Sequence, residues 1–195
     1  MFALTLAVAA ATLALPVPDS GFERTIEIAA SREVRDSGLV GMWYEVFVAP
    51  DGTIEGCTVR AAVGDGTAAQ AVCKALVGKK AEPAVGSDGQ PAYGYARGTL
   101  NFADNLAPMS ADAIEPDVTI SARGLDSEAE RVGVTVLVGT DGKVAACEPG
   151  AGAGGLWRTA CSQVRSMALP IRKAKGGASV NYLYPLIVEF RAERG

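Results

Sequence analysis

The sequence predicts an α+β protein of two tandem β-β-α-β units, each an antiparallel sheet with one helix packed on one face. Residues 44–57 read YEVFVAPDGTIEGC and residues 134–147 read VTVLVGTDGKVAAC, so two apolar runs joined by an Asp-Gly turn end twice in cysteine. Apolar positions of a following helix and of a last strand recur at an offset of 88 residues. Each copy is therefore one structural unit, and the copies form either two small domains or one pseudo-symmetric pair.

Periodicity and turn signals predict the elements of the first copy. Alternation predicts a strand over 43–49, and Asp51-Gly52 predicts a hairpin turn into a second strand. The apolar parity breaks around Gly56, which predicts a β-bulge at that residue. Apolar residues at i, i+3, i+4 and i+7 predict a helix over 67–77, and a last strand follows over 92–102.

The second copy repeats this order. Its predicted elements are strands over 118–121, 132–138 and 144–147, a helix over 156–167 and a last strand over 181–190. Pro185 removes one ladder donor from that last strand and favours a place at the edge of a sheet. A short alternation at Ile26 and Ile28 predicts an edge strand before the first copy, and residues 31–37 predict a short helix.

An apolar leader and an acidic joint divide the chain. The predicted segments are a signal peptide or leader over 1–18, a first domain over 19–103, an acidic linker over 104–117 and a second domain over 118–195. Residues 2–15 are apolar or small, too few to span a bilayer, and Thr12-Leu13-Ala14 offers small residues for cleavage. We expect an exported, periplasmic protein; the alternative is a leader that stays uncleaved as an inner-membrane anchor.

The four cysteines occupy matched positions in the two copies. Cys57 and Cys147 end a strand, and Cys73 and Cys161 lie on the inward face of the following helix. Of three possible connectivities, the repeat favours the pairs within each copy, which would fasten helix to sheet in an oxidising compartment. The alternative is four buried thiols in a cytosolic protein.

Composition argues against several functions. The net charge of −4 and the absence of a basic cluster argue against nucleic-acid binding. Without histidine there is no Ser-His-Asp triad, Cys-His pair or histidine metal site, and no Walker motif is present. We therefore expect no enzyme activity, no cofactor, no metal and no small-molecule substrate. Residues 19–103 carry 8 basic and 11 acidic residues, whereas residues 118–195 carry 10 basic and 7 acidic residues, so the acidic linker joins halves of opposite net charge.

The order of motifs resembles the TonB C-terminal domain family. The matching residues are the strand ending in 48–52, Ile54, Val59, Val72, Leu76, residues 82–84, Asp88-Gly89 and Phe102. The second copy matches more weakly: it has Asp141-Gly142 but lacks the Pro-Ala, and Gly176-Gly177 replaces the second Asp-Gly. The resemblance implies a periplasmic module that contacts an outer-membrane transporter peptide by β-strand addition.

The last strand of the first copy, over 92–102, contains no proline and keeps every backbone donor. The predicted partner-binding residues on it are Tyr93, Tyr95, Ala96, Arg97 and Thr99. We expect a monomer or an intramolecular pseudo-symmetric pair that acts as a binding module in envelope transport. Two alternatives remain: a disulfide-stapled adaptor whose copies pair with each other and transduce no energy, and a secreted enzyme that uses carboxylates.

Overall fold

The computed structural model describes residues 12–17, 37–102, 114–150 and 153–193. Its strands are β1 (Gly41–Val48), β2 (Ile54–Val63), β3 (Ala84–Val85), β4 (Pro91–Asn101), β5 (Val118–Ala122), β6 (Ala129–Val138), β7 (Val144–Pro149), β8 (Arg172–Lys173), β9 (Ser179–Val180) and β10 (Tyr182–Ala192). The helices are α1 (Gly66–Leu76), after β2, and α2 (Trp157–Val164), after β7. The predicted α+β class is confirmed. We call residues 41–101 the first half and residues 118–192 the second half.

Each half begins with the predicted hairpin. Gly52 and Gly142 both have a φ of 81°, a conformation that glycine adopts without steric cost. The carboxylates of Asp51 and Asp141 accept hydrogen bonds from the backbone N–H two residues later, at 2.8 and 3.0 Å. The turn is therefore held by its own Asp-Gly chemistry, as the sequence predicts.

The predicted β-bulge lies one residue earlier than expected. Phe47 pairs with Gly56 and Val48 with Ile54, so Glu55 is the extra residue and not Gly56. The second half has the same irregularity, because Leu137 pairs with Ala146 and Val138 with Val144. A bulge restores the apolar parity of the strand wherever its extra residue falls, and parity alone does not locate that residue.

The two helices bury equivalent stripes and differ at their N-termini. Asp65 caps α1 by accepting hydrogen bonds from the N–H groups of Thr67 and Ala68, whereas α2 has no side-chain cap. The buried residues are Ala68, Ala69, Val72, Cys73 and Leu76 in α1 and Ala160, Cys161 and Val164 in α2. The second helix is shorter than the predicted 156–167, because turns follow Val164.

Both predicted disulfides are confirmed. Cys57 on β2 is bonded to Cys73 on α1, and Cys147 on β7 is bonded to Cys161 on α2, with Cα–Cα distances of 5.5 and 5.6 Å. Each bond fastens a helix to the outermost strand of its half. Disulfides persist in oxidising compartments, so the chain belongs to an extracellular or periplasmic one.

The two halves share one sheet. Its strand order is β2-β1-β4-β10-β6-β7, with β3 beside β4 and β5 beside β10. Neighbouring strands within each half are mostly antiparallel, but β4 and β10 pair in parallel at Tyr93–Tyr182 and Gly94–Leu183. The last strands of the two copies, which are equivalent in sequence, therefore meet at the centre of the sheet.

The helices lie on opposite faces of this sheet. Side chains alternate along a strand, and the neighbours Tyr95 and Ala96 on β4 belong to different cores. Ala96 packs with α1, whereas Tyr95 and Phe47 of β1 pack with the second half. The face of the first half that α1 leaves uncovered is thus partly covered by the second half.

Pro185 does not place its strand at an edge, and that prediction is wrong. β10 lies inside the sheet, with β6 on one side and β4 and β5 on the other. The N–H and C=O of Ile187 both face Asp117, just before β5, so the backbone of Pro185, two residues earlier, faces the same side. The missing donor falls where the pairing of β10 with β4 has ended and its pairing with β5 has not begun, and the β6 ladder loses nothing.

Several predicted segments fall wholly or mostly outside the described residues. They include the strand at Ile26 and Ile28, and only Ser37 of the helix over 31–37 is described. Of the leader, residues 12–17 are described, and Ala14 and Val17 form bridges with Val85 and Glu82. Of the acidic linker, residues 114–117 are described. No helix in the described ranges is long and apolar enough to cross a membrane.

Candidate functional site

The candidate site lies on the face of the first half that is turned away from α1. Alternation places Glu45 and Phe47 of β1 on this face, together with Tyr93, Tyr95 and Arg97 of β4. The second half brings two tyrosines and the linker carboxylate against it.

Five aromatic rings pack where the halves meet. Phe47 stacks on Tyr93 with ring centroids 5.4 Å apart and lies 4.9 Å from Tyr95. Tyr95 meets Tyr182 and Tyr184 of β10 edge to face, at 5.8 and 5.1 Å. Such offset and perpendicular arrangements are the favourable ones for aromatic pairs. The tyrosines of β4 and β10 are therefore packing residues of the contact between the two halves, which we call the junction.

A polar cluster of Glu45, Arg60, Arg97, Asp117 and Tyr184 lies beside these rings. Arg97 donates to Glu45 at 2.9 Å and forms two parallel hydrogen bonds of 2.8 Å with Asp117. The side chains of Arg97, Glu45 and Asp117 are only 8%, 5% and 9% exposed. Two carboxylates thus face two guanidinium groups, since Arg60 also reaches Asp117 at 3.1 Å. The buried charges balance.

The polar cluster connects both halves with the linker. The Asp117 carboxylate accepts a hydrogen bond from the Ile187 N–H of β10 at 2.8 Å. The Tyr184 hydroxyl accepts from Arg97 at 2.8 Å and donates to Glu45 at 3.2 Å. The described end of the acidic linker is therefore a structural connection and not a solvated spacer. This agrees with Ile114, which is also buried.

Burial and neighbouring charge shift the pKa values in this region. Burial alone would lower the pKa of Arg97, but the hydrogen bonds and charge of Asp117 outweigh it and raise that pKa above its ordinary value. Burial raises the pKa of Tyr184 to about 12, although Arg97 acts in the opposite direction. Burial also raises the pKa values of Tyr95 and Tyr182. At neutral pH the guanidinium is charged and the phenols are neutral.

Tyr184 makes stability depend on alkaline pH. Its pKa is about 12 in the folded chain and about 10 in an unfolded chain. Its contribution is constant below about pH 10 and decreases as the pH rises through the folded pKa, because the unfolded chain releases the proton first. Urea titrations at successive pH values should therefore show a shallower alkaline loss of stability for Tyr184→Phe than for wild type. Equal slopes would contradict this assignment.

A groove remains open on the same face beside the junction. One cavity has a volume of about 700 Å³ and lies beside β1, the turn at Asp51 and the start of β2. Its other lining residues are Val77, Gly78, Tyr93, Lys173 and Lys175. An adjoining cavity of about 360 Å³ shares Phe47 and Lys173 and reaches Gly56 and Thr58 of β2. We call the two together the groove. Its floor is the first half and its far wall is segment 171–175 of the second half.

The predicted partner-binding residues have different positions. Tyr95 and Ala96 are buried, on opposite faces of β4, and Arg97 belongs to the polar cluster. Tyr93 is half-buried and lines the groove, and Thr99 is exposed. Their role in binding a partner stays a prediction.

Sequence reasoning missed Glu45, Asp117, Lys173 and Lys175. The two carboxylates looked like ordinary surface acids, since their arginine partners are 20 or more residues away. The lysines carried one weak signal, because the sequence RKAK at 172–175 concentrates positive charge in the basic half. No group of three metal-binding side chains occurs among the residues described here.

None of the protein-family models matches this chain, and no curated protein or solved structure is significantly similar to it.

Proposed function

We propose that the chain is a periplasmic binding module of the cell envelope that takes up an extended segment of a partner protein by β-strand addition. The matched disulfides support export. The interior side chains at the junction are engaged either in aromatic packing or in the fully paired polar cluster, which supports a role without catalysis. The TonB-like order of motifs in each half supports a partner in envelope transport, such as an outer-membrane transporter.

The free edge of β2 indicates where a partner strand would be added. Among the described strands, β2 is the longer of the two that end the sheet, with 10 residues against 6 for β7. Its outer edge at Ile54 is used by Gly78 and Lys79, but no described strand pairs with that edge from Gly56 onwards. An edge strand offers unpaired N–H and C=O groups to another chain. We therefore propose β2 as the receiving strand.

The pairing of β4 with β10 favours an adaptor over an energy transducer. β4 pairs with β1 along eight residues, and at Tyr93 and Gly94 it also pairs with β10. A partner strand at these two residues would have to displace the second half. We therefore propose that the two copies pair with each other and that the pair binds a segment of a third protein. The proposed function does not include energy transduction.

Site-specific photo-crosslinking in cells that make the protein natively tests the proposal. A photoreactive amino acid at Thr58, on the exposed floor of the groove, is expected to capture an envelope protein. Thr99 tests the prediction for β4, and Lys74 is the control because it is exposed on α1. Capture at Thr99 alone would indicate that the partner binds along β4 and not along β2. Equal products at Thr58 and Lys74, or none at either, would contradict the proposal.

A further inference from the structure

We propose that the groove selects an acidic, extended segment that also carries an aromatic or large apolar side chain. This inference rests on the proposed function, because it describes the segment that would lie beside β2. It assigns the recognition of charge to Arg172, Lys173 and Lys175 of the second half. The recognition of apolar side chains is assigned to Phe47 and Tyr93 of the first half.

Arg172, Lys173 and Lys175, which we call the basic wall of the groove, have no carboxylate partner within the described ranges. Among the described residues, none of Arg172, Lys173 and Lys175 forms an ion pair, whereas Asp51 in the groove is paired with Lys80 at 3.2 Å. Glu45 is likewise held by Arg97, which leaves Glu55 as the remaining carboxylate of the groove. The groove therefore presents an excess of positive charge on a chain whose net charge is −4. An anionic segment is therefore attracted to this wall.

Arg172 is oriented by the junction. Its guanidinium lies over the ring of Tyr95 at 5.3 Å. A guanidinium held over an aromatic ring in this way adds a fixed positive charge to the wall of the groove. The same residue lines the cavity that reaches Gly56 and Thr58.

The strand irregularities limit the length of the segment. β2 has register shifts that leave Glu55 and Arg60 unpaired, so its regular stretch runs from Gly56 to Val59. An added strand would pair over about four residues, because bulges interrupt the ladder. Alternate side chains of such a strand would point to the face that carries Phe47 and the groove. Acidic side chains there would meet the lysines, and an apolar one would meet the aromatic floor.

Binding to the full-length, oxidised chain tests this inference. The probe is a short fluorescein-labelled peptide in which aspartate alternates with phenylalanine and valine, and the comparison peptide has lysine in place of each aspartate. We expect the acidic peptide to bind and the basic one to fail, with affinity decreasing as salt rises. Lys173→Glu/Lys175→Glu should weaken binding at least about tenfold, because each substitution replaces an attractive charge with one that repels the acidic peptide.

Two matched controls separate the groove from general effects. Lys74→Glu/Arg165→Glu makes the same charge change at exposed positions on or beside the helices and should leave the Kd within about twofold. Gly56→Leu fills the groove, since a Cβ there meets only the Cβ of Phe47 at 3.9 Å, and should also weaken binding. Gly66→Leu adds the same side chain where nothing lies within 4 Å, and it should leave binding unchanged. Melting temperatures verify that each variant folds.

Three results would overturn the inference. They are equal binding of both peptides, equal effects of the two charge-reversed variants, and a concentration-dependent dimer that Lys173→Glu/Lys175→Glu abolishes, which would make a second copy the occupant. The failures of the two proposals are distinguishable. Capture of an envelope protein at Thr58 with no preference between the peptides would overturn only the acidic ligand. Selective peptide binding without capture would overturn only the envelope partner.

Discussion

Arg97→Leu is expected to lower the free energy of unfolding by about 3–5 kcal/mol, because it leaves two buried carboxylates without their main partner. Arg97 forms hydrogen bonds of 2.9 Å with Glu45 and 2.8 Å with Asp117. Leucine fills part of the volume but compensates neither charge. Urea denaturation at neutral pH, followed by circular dichroism, measures the change.

An exposed ion pair provides the control for Arg97. Arg123 pairs with Glu193, but its side chain is 87% exposed, so Arg123→Leu should change stability by no more than about 0.5 kcal/mol. Arg97→Lys should recover part of the loss, since lysine restores the charge but not the paired geometry. Similar effects of Arg97→Leu and Arg123→Leu would show that the polar cluster is not buried as described.

Removal of either disulfide is expected to cost about 3 kcal/mol, because each closes a loop of similar length. The bonded cysteines are 16 residues apart in the first half and 14 in the second. Cys57→Ala/Cys73→Ala and Cys147→Ala/Cys161→Ala should therefore lose similar amounts of stability. Urea midpoints of the two variants, measured without reductant, give the comparison.

Reduction of the wild-type chain is the matched control for these variants. Dithiothreitol should destabilise wild type by about the sum of the two losses and each double variant by only the remaining one. Non-reducing peptide mapping should recover the two bonded pairs from the wild-type chain. A reductant that leaves the midpoint unchanged, or a peptide that joins Cys57 to Cys147, would contradict the assignment.

The sequence was informative wherever a contact is local or repeated. Asp51-Gly52 and Asp141-Gly142 form turns by their own chemistry, and the matched cysteines predicted two bonds that the structure contains. The apolar stripe of α1 was visible because a helix repeats within a few residues. These features depend on neighbours in the chain, and a single sequence contains that information.

The junction was not predictable in the same way. The contact between Arg97 and Glu45 spans 52 residues, and that between Tyr184 and Glu45 spans 139. The effect of Pro185 is of the same kind, because it depends on which side of β10 its backbone faces. The role proposed for Lys173 depends on the second half lying over Phe47. Such facts follow from how the halves meet, which alternation along a strand does not specify.

If the two halves form one unit with the groove between them, they should unfold together. Each half contains one of the two tryptophans. Trp43 lies on β1, and Trp157 begins α2. Urea unfolding of Trp157→Phe and of Trp43→Phe, followed by the fluorescence of the remaining tryptophan, reports on each half separately. One unit predicts that each fluorescence transition coincides with that variant's circular dichroism transition and has the same m-value. Two separate transitions within either variant would contradict it.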